Sequence, residues 1–202
     1  MPQWDEMLGD PVRSFFAGLA LAALALAAWL VSEPVDPRAL VAVLLRFVHV
    51  LSAMVWVGLI FFVNFIQFKA LEEADDVSRG AIARGIVPRV AAAFRHASHL
   101  TVLSGALLLV ATGYLLGALA VSSPSDLLLA RTLMLALGAL GGLIVWVLVN
   151  FVIWPGLKVV LGQTGDAAAK AQARSTVKHY ARLNLVLMIP VTFAMIAAAH
   201  LF

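Results

Sequence analysis

The chain has 202 residues, of which 63% are hydrophobic and only 12% charged, with a net charge of +3. Soluble globular chains run about 45–50% apolar and about 25% charged, so soluble enzyme folds, nucleic-acid modules and disordered chains are excluded. Length and a mean hydropathy of +1.00 point to one compact bundle of membrane-spanning helices.

A bilayer core of about 30 Å needs roughly 20 apolar residues in a helix. Five segments meet that length: Val12–Val31, Ala39–Gln67, Val90–Val121, Asp126–Trp154 and Arg182–Phe202. Unbroken Ala and Leu runs without alternation make them helices rather than strands. The expected fold is all-α and polytopic, with residues 1–38 forming an N-terminal helix and linker and residues 39–202 a four-helix membrane core.

Val12–Val31 follows Asp5, Glu6 and Asp10 rather than a basic stretch, which favours a retained helix over a cleaved signal peptide. Ser32–Arg38 is a short connection with two prolines. Phe68–Arg89 is long, charged and expected to be partly helical. Ser122–Ser125 is a tight turn. Pro155–Ala181 is long and polar, and its stretch Asp166–Arg182 reads as a basic amphipathic helix suited to an anionic lipid surface. No strong internal repeat is evident.

Lys and Arg fix the expected orientation. Lys69, Arg79, Arg84 and Arg89 fall in one connection, and Lys158, Lys170, Arg174, Lys178 and Arg182 in another. The first loop has only Arg38 and the third has none. Both basic loops then lie inside with the N-terminus, and the C-terminus lies outside.

The chain has no cysteine, which removes disulfides, thiolate metal sites and a C-x-x-C-H haem attachment. A bound metal must use the five histidines, methionine, carboxylates or backbone. Ionisable groups inside a span are functional candidates by default. Here they are Arg46 and His49 in the second span, Arg95, His96 and His99 in the third, Arg131 in the fourth and His200 near the end of the fifth. Asn64, Asn150 and Asn184 add polar side chains. No Asp or Glu lies deep in a span, which weakens a proton-driven carrier reading.

Neutral imidazole is the usual protein ligand of b-type haem, and haem sites form between facing helices. His49 and His200 both belong to the outer half and can face one another across a haem. His96 and His99 share one helix face at the inner end. From one continuous helix they cannot both be trans ligands of one iron, so either is an alternative ligand. Each histidine can equally bond a backbone carbonyl or a neighbouring helix. Arg46, on the face of His49, suits a haem propionate or a lipid headgroup. Trp56 suits a flat cofactor or helix packing. Gly58, Gly105 and the group Gly138, Gly141 and Gly142 permit close helix approach.

Arg46-Phe-Val-His49 with Trp56-Val-Gly58 resembles the first core helix of the urate oxidase N-terminal-type membrane domain, found in bacterial urate hydroxylases that carry a C-terminal cytochrome c. Thr101 to Gly105 is similar to its second core helix. Asn150 to Trp154-Pro155 is similar to its helix exit, and Arg182-x-Asn184 with Pro190, Met195 and His200 to its closing helix. The resemblance covers residues 40–202, and copper-resistance and membrane protoporphyrinogen oxidase domains carry similar His-bearing helices. It implies haem b, with His49 and His200 as axial ligands and Arg46 and Trp56 beside the cofactor. His96 and His99 depart from the family pattern, and the fused cytochrome c is lacking.

The implied function is a membrane oxidoreductase of the bacterial inner membrane, transferring electrons or oxidising a small, urate-like substrate. The partners expected are the lipid bilayer and an external cytochrome c or quinone, with a homo-oligomer left open. A copper-handling transporter and a cofactor-free assembly subunit are the alternatives. Six scattered methionines speak against copper.

Overall fold

A computed structural model describes residues 8–114, 126–162 and 166–200. The expected end of the third span at Val121, the turn Ser122–Ser125 and the terminal Phe202 lie outside the described residues. The chain divides into two units, Met1–Val41 and Ala42–Phe202. Among the described residues every regular element is helical. Five helices are long and apolar enough to cross a membrane.

Helix α1, Pro11–Ser32, belongs to the first unit. Asp10 caps it by accepting from the Val12 amide at 2.8 Å, and Pro11 fits the first turn because its missing N–H has no partner to lose. None of its side chains is buried, which for so apolar a helix suits lipid on every side.

The second unit is built from four long spans. Helix α2 is continuous from Pro37 to Glu73, with a π-helical turn at Phe62–Gln67. Helix α3, Asp76–Gly85, is amphipathic and capped by the Asp75 side chain. Helix α4, Val87–Ala111, takes Pro88 in its first turn. Helix α5 starts at Asp126 and passes a π-helical turn at Val149–Ile153 before ending at Leu161. Helix α6, Ala167–His200, has 34 residues. At about 1.5 Å per residue it is about 50 Å long, well beyond the hydrocarbon thickness.

Several boundaries differ from the sequence reading. The helix of the third span, expected over Val90–Val121, ends at Ala111, with Thr112 at its cap and Gly113 at a φ of 73°. The helix of the fourth span does not exit at Trp154-Pro155 but runs on to Leu161. The π-helical turn just before Pro155 re-registers the hydrogen-bond ladder, so the missing proline amide does not break the helix. The amphipathic stretch 166–182 and the last span are one rod rather than two elements, since nothing between them breaks a helix.

Contacts close the four spans into an up-down-up-down ring. His49 meets Thr101, pairing α2 with α4. Trp146 meets His99, pairing α4 with α5. A Cβ on Gly138 would lie 2.9 Å from Met195, and one on Gly156 2.7 Å from Val177. Those glycines therefore let α5 lie almost backbone to backbone on α6, antiparallel. Asn64 Nδ2 donates to the Ala181 carbonyl at 3.2 Å, pairing α2 with α6. Trp56, Ile60, Ala97, Val145 and Met188 form the buried core, so every span contributes to it.

The structure also exposes a short repeat that the sequence reading missed. Val63-Asn64-Phe65-Ile66 and Val149-Asn150-Phe151-Val152 occupy the π-helical turns of α2 and α5. In each, the Asn Nδ2 donates to the carbonyl four residues earlier, Ile60 or Trp146, at 2.9 Å. The turns of α2 and α5 thus share one local motif.

Candidate functional site

The sequence-predicted ligands differ in their settings. His49 is half-buried, and its Nδ1 lies 2.9 Å from the Thr101 carbonyl. That carbonyl can only accept, so Nδ1 carries the proton and Nε2 keeps its lone pair. The ring packs against Gly105, where a Cβ would meet Cε1 at 2.8 Å. His200 is exposed at the last turn of α6. Among the described residues no hydrogen bond or ring contact joins it to His49.

His96 is exposed. His99 Nδ1 accepts from Trp146 Nε1 at 2.9 Å. Its neutral form then carries the other proton on Nε2 and offers no free lone pair. Arg46 is exposed, the position of a snorkelling side chain. Trp56 is 2% exposed and belongs to the core cluster. Among the described residues no group of three His, Asp or Glu side chains is arranged to hold a metal.

The polar chemistry concentrates elsewhere, in the half of the bundle nearest the basic connections. There a cavity of about 60 Å³ lies between α2, α4, α5 and α6. Its walls are mostly apolar, and Asn64, Gln67, Arg95, Trp154 and Asn184 also line it. Asn184 is 1% exposed and Gln67 7%. Neither amide atom of Asn184 has a hydrogen-bond partner in the structure; nor have Asn64 Oδ1, Gln67 Oε1 and Arg95 Nε.

A buried polar group without a partner costs about 1–3 kcal/mol. Native proteins satisfy the large majority of such groups. Asn64, Gln67, Arg95 and Asn184 thus bring such atoms to one cavity, while Trp56 Nε1 and Asn150 Oδ1 are unpartnered outside its lining.

Arg95 sharpens the picture. Its guanidinium carbon sits 4.8 Å from the centre of the Trp154 ring. A cation–π contact of this kind contributes about 0.5–2 kcal/mol. Arg95 as a whole is half-buried, and of its side-chain nitrogens Nε is the one buried without a partner. Among the described residues no ion pair reaches Arg95; the pairs are Arg13–Asp10, Lys69–Glu73, Arg79–Asp76 and Lys178–Glu72. The ring faces the guanidinium and leaves Nε without a bond.

Local structure explains why these side chains meet. A π-helical turn widens the helix and turns its side chains out of α register, and such turns recur at functional sites. In α2 this turn carries Asn64 and ends on Gln67, so both line the cavity. In α5 the corresponding turn is followed by Trp154, which comes to rest over Arg95. Asn64, Arg95 and Asn184 stand out in the sequence as polar residues within spans. Gln67 does not, because it sits where the apolar run ends; the repeated Val-Asn-Phe triplet was the signal that leads to it.

Neither a protein-family model, nor a curated protein, nor a solved structure matches the chain. The resemblance to the urate oxidase N-terminal-type domain thus rests on the motif residues alone.

Proposed function

We propose that the protein is a membrane-embedded binder of a small polar solute, held between its two helix pairs as in a carrier. The single observation behind this reading is the set of unpartnered buried polar atoms around the cavity, with Asn184 at its centre. Three further features agree with it. One local motif recurs in the π-helical turns of α2 and α5. Non-α turns in spans are tolerated where they line a cavity. Intramembrane polar side chains mark substrate pathways.

Size narrows the solute. A water needs about 10–15 Å³ of cavity volume by this measure. A cavity of about 60 Å³ accepts about four to six such groups. Acetate and acetamide, with four non-hydrogen atoms, are therefore suitable probes. In lipid nanodiscs, one or both should raise the unfolding temperature saturably. A flat response to both, and to the longer acid decanoate, overturns the reading. The Lys/Arg distribution orients the bundle with the cavity near the inner face and α6 ending outside.

A second reading, a b-type haem, has one observation in its favour, the free Nε2 of His49. The cavity itself is far below the roughly 300–1,000 Å³ of ligand and cofactor pockets. A reduced-minus-oxidised visible spectrum of protein expressed with added haem decides it. A b-type band lost in His49→Ala supports haem, and a featureless spectrum removes it.

A further inference from the structure

From the wall chemistry we infer that the bound solute is an anion of carboxylate type, neutralised by Arg95 and admitted from the basic end of the bundle past Trp154. The inference deepens the solute-binding reading and rests on it. Three observations carry it.

The first is charge. Among the described residues Arg95 is the one cation lining the cavity, its Nε is buried without a partner, and no carboxylate lines the cavity with it. A neutral solute would satisfy the amides and leave the guanidinium uncompensated. A carboxylate satisfies both, because its two oxygens match guanidinium and amide N–H donors.

The second is the donor set. Asn184 Nδ2 is an orphan donor, while Asn64 Oδ1, Gln67 Oε1 and Asn184 Oδ1 are orphan acceptors. An anion takes its bonds from Arg95 Nε and Asn184 Nδ2. The acceptor oxygens require N–H or O–H groups, supplied by a water carried with the anion or by a hydroxyl on it. A water donates two bonds, so one water beside the anion serves two of these three acceptors.

The third is a route. A cleft of about 280 Å³ between α4 and α5 is lined by Pro88, Ala91, Trp154, Leu157, Lys158 and Leu161. Ala91, Trp154 and Leu157 also line the buried cavity. Cleft and cavity are therefore neighbours sharing one wall, and Trp154 is its largest member. Lys158 is exposed in the cleft and Arg95 lies behind the wall. An anion passing from one to the other moves from cation to cation, and Trp154 must leave the Arg95 face to admit it.

Two sources carry a carboxylate of this kind, a free short acid and a fatty acid whose chain lies in the apolar cleft. Binding of acetate, acetamide and decanoate to the full chain in nanodiscs separates them. At neutral pH acetate should bind at least about ten-fold more tightly than its neutral isostere acetamide. Arg95→Gln should bring that ratio close to one while acetamide binding persists. Trp154→Ala should speed acetate binding and release together. Acetate binding identifies a free acid. Decanoate binding without acetate binding identifies the lipid-borne group, and either result supports a carboxylate site.

Acetamide binding as tightly as acetate, in both proteins, overturns the anion inference and leaves the solute reading standing. No binding of any probe overturns both, the cavity then being a water pocket. The acetate-to-acetamide contrast in the unaltered chain decides the matter even where Arg95→Gln fails to fold.

Discussion

Replacing Gly105 with alanine tests how α2 and α4 are joined. The added Cβ would stand 2.8 Å from His49 Cε1 and 3.0 Å from Nδ1, against an optimum of about 3.5–4.0 Å for carbon contacts. The imidazole must swing away, and its bond to the Thr101 carbonyl goes with it. Overpacking costs about 1–3 kcal/mol. An intramembrane side-chain hydrogen bond averages about 0.6 kcal/mol. Alanine returns about 1 kcal/mol in helix propensity. The net loss is about 0.5–2.5 kcal/mol. Reversible unfolding in mixed micelles, with Gly58→Ala as control, measures it. A Cβ at Gly58 meets nothing within 4 Å, so that change should be neutral or stabilising. In a His49→Ala background the penalty at Gly105 should vanish, because the ring it strikes is gone. A neutral Gly105→Ala, or an equal penalty with and without the His49 ring, refutes the reasoning.

Gly141→Ala should cost about 1–3 kcal/mol in the same assay, since its Cβ would come within 2.5 Å of Val191 on α6. Trp146→Phe should leave α4 and α5 in place but free His99 Nδ1, seen as a changed imidazole nitrogen shift by NMR. Asp75 lies between spans, and the Ser78 amide holds its carboxyl below the ordinary aspartate range. A lowered folded pKa stabilises above the unfolded pKa of about 3.9, and the effect is lost as pH falls through the folded value. Protection of α3 against hydrogen exchange, taken relative to the intrinsic rate at each pH, should therefore fall on acidification below about pH 4. In Asp75→Ala it should be low at every pH.

Much of the fold was legible in the sequence because apolar length dictates spans in a low-dielectric medium. Val12–Val31 became Pro11–Ser32, and the glycines of the fourth span do meet α6. Proline misled at Trp154-Pro155, where a π-helical turn absorbs it. The polar readings fared differently. Histidine drew attention as the classical ligand, yet His99 spends its Nδ1 on Trp146 and His96 faces outward. Amides are quieter in a sequence, because their weight depends on whether a partner is found. That depends on helix rotation, which a local π turn changes and composition does not record. Asn184 looks ordinary until all its neighbours are in place and both its polar atoms remain unbonded.

The most direct test is Asn184→Leu, read for stability and for binding in one preparation. The substitution replaces an unpartnered buried amide by an apolar group of similar size, a change that can be neutral or stabilising when no bond is lost. The account predicts an unfolding midpoint equal to or above that of the unaltered chain, with the acetate- or acetamide-induced stabilisation abolished. A strongly destabilised variant would make Asn184 a structural residue, and undiminished binding would place the solute elsewhere. Either result contradicts a site built around Asn184.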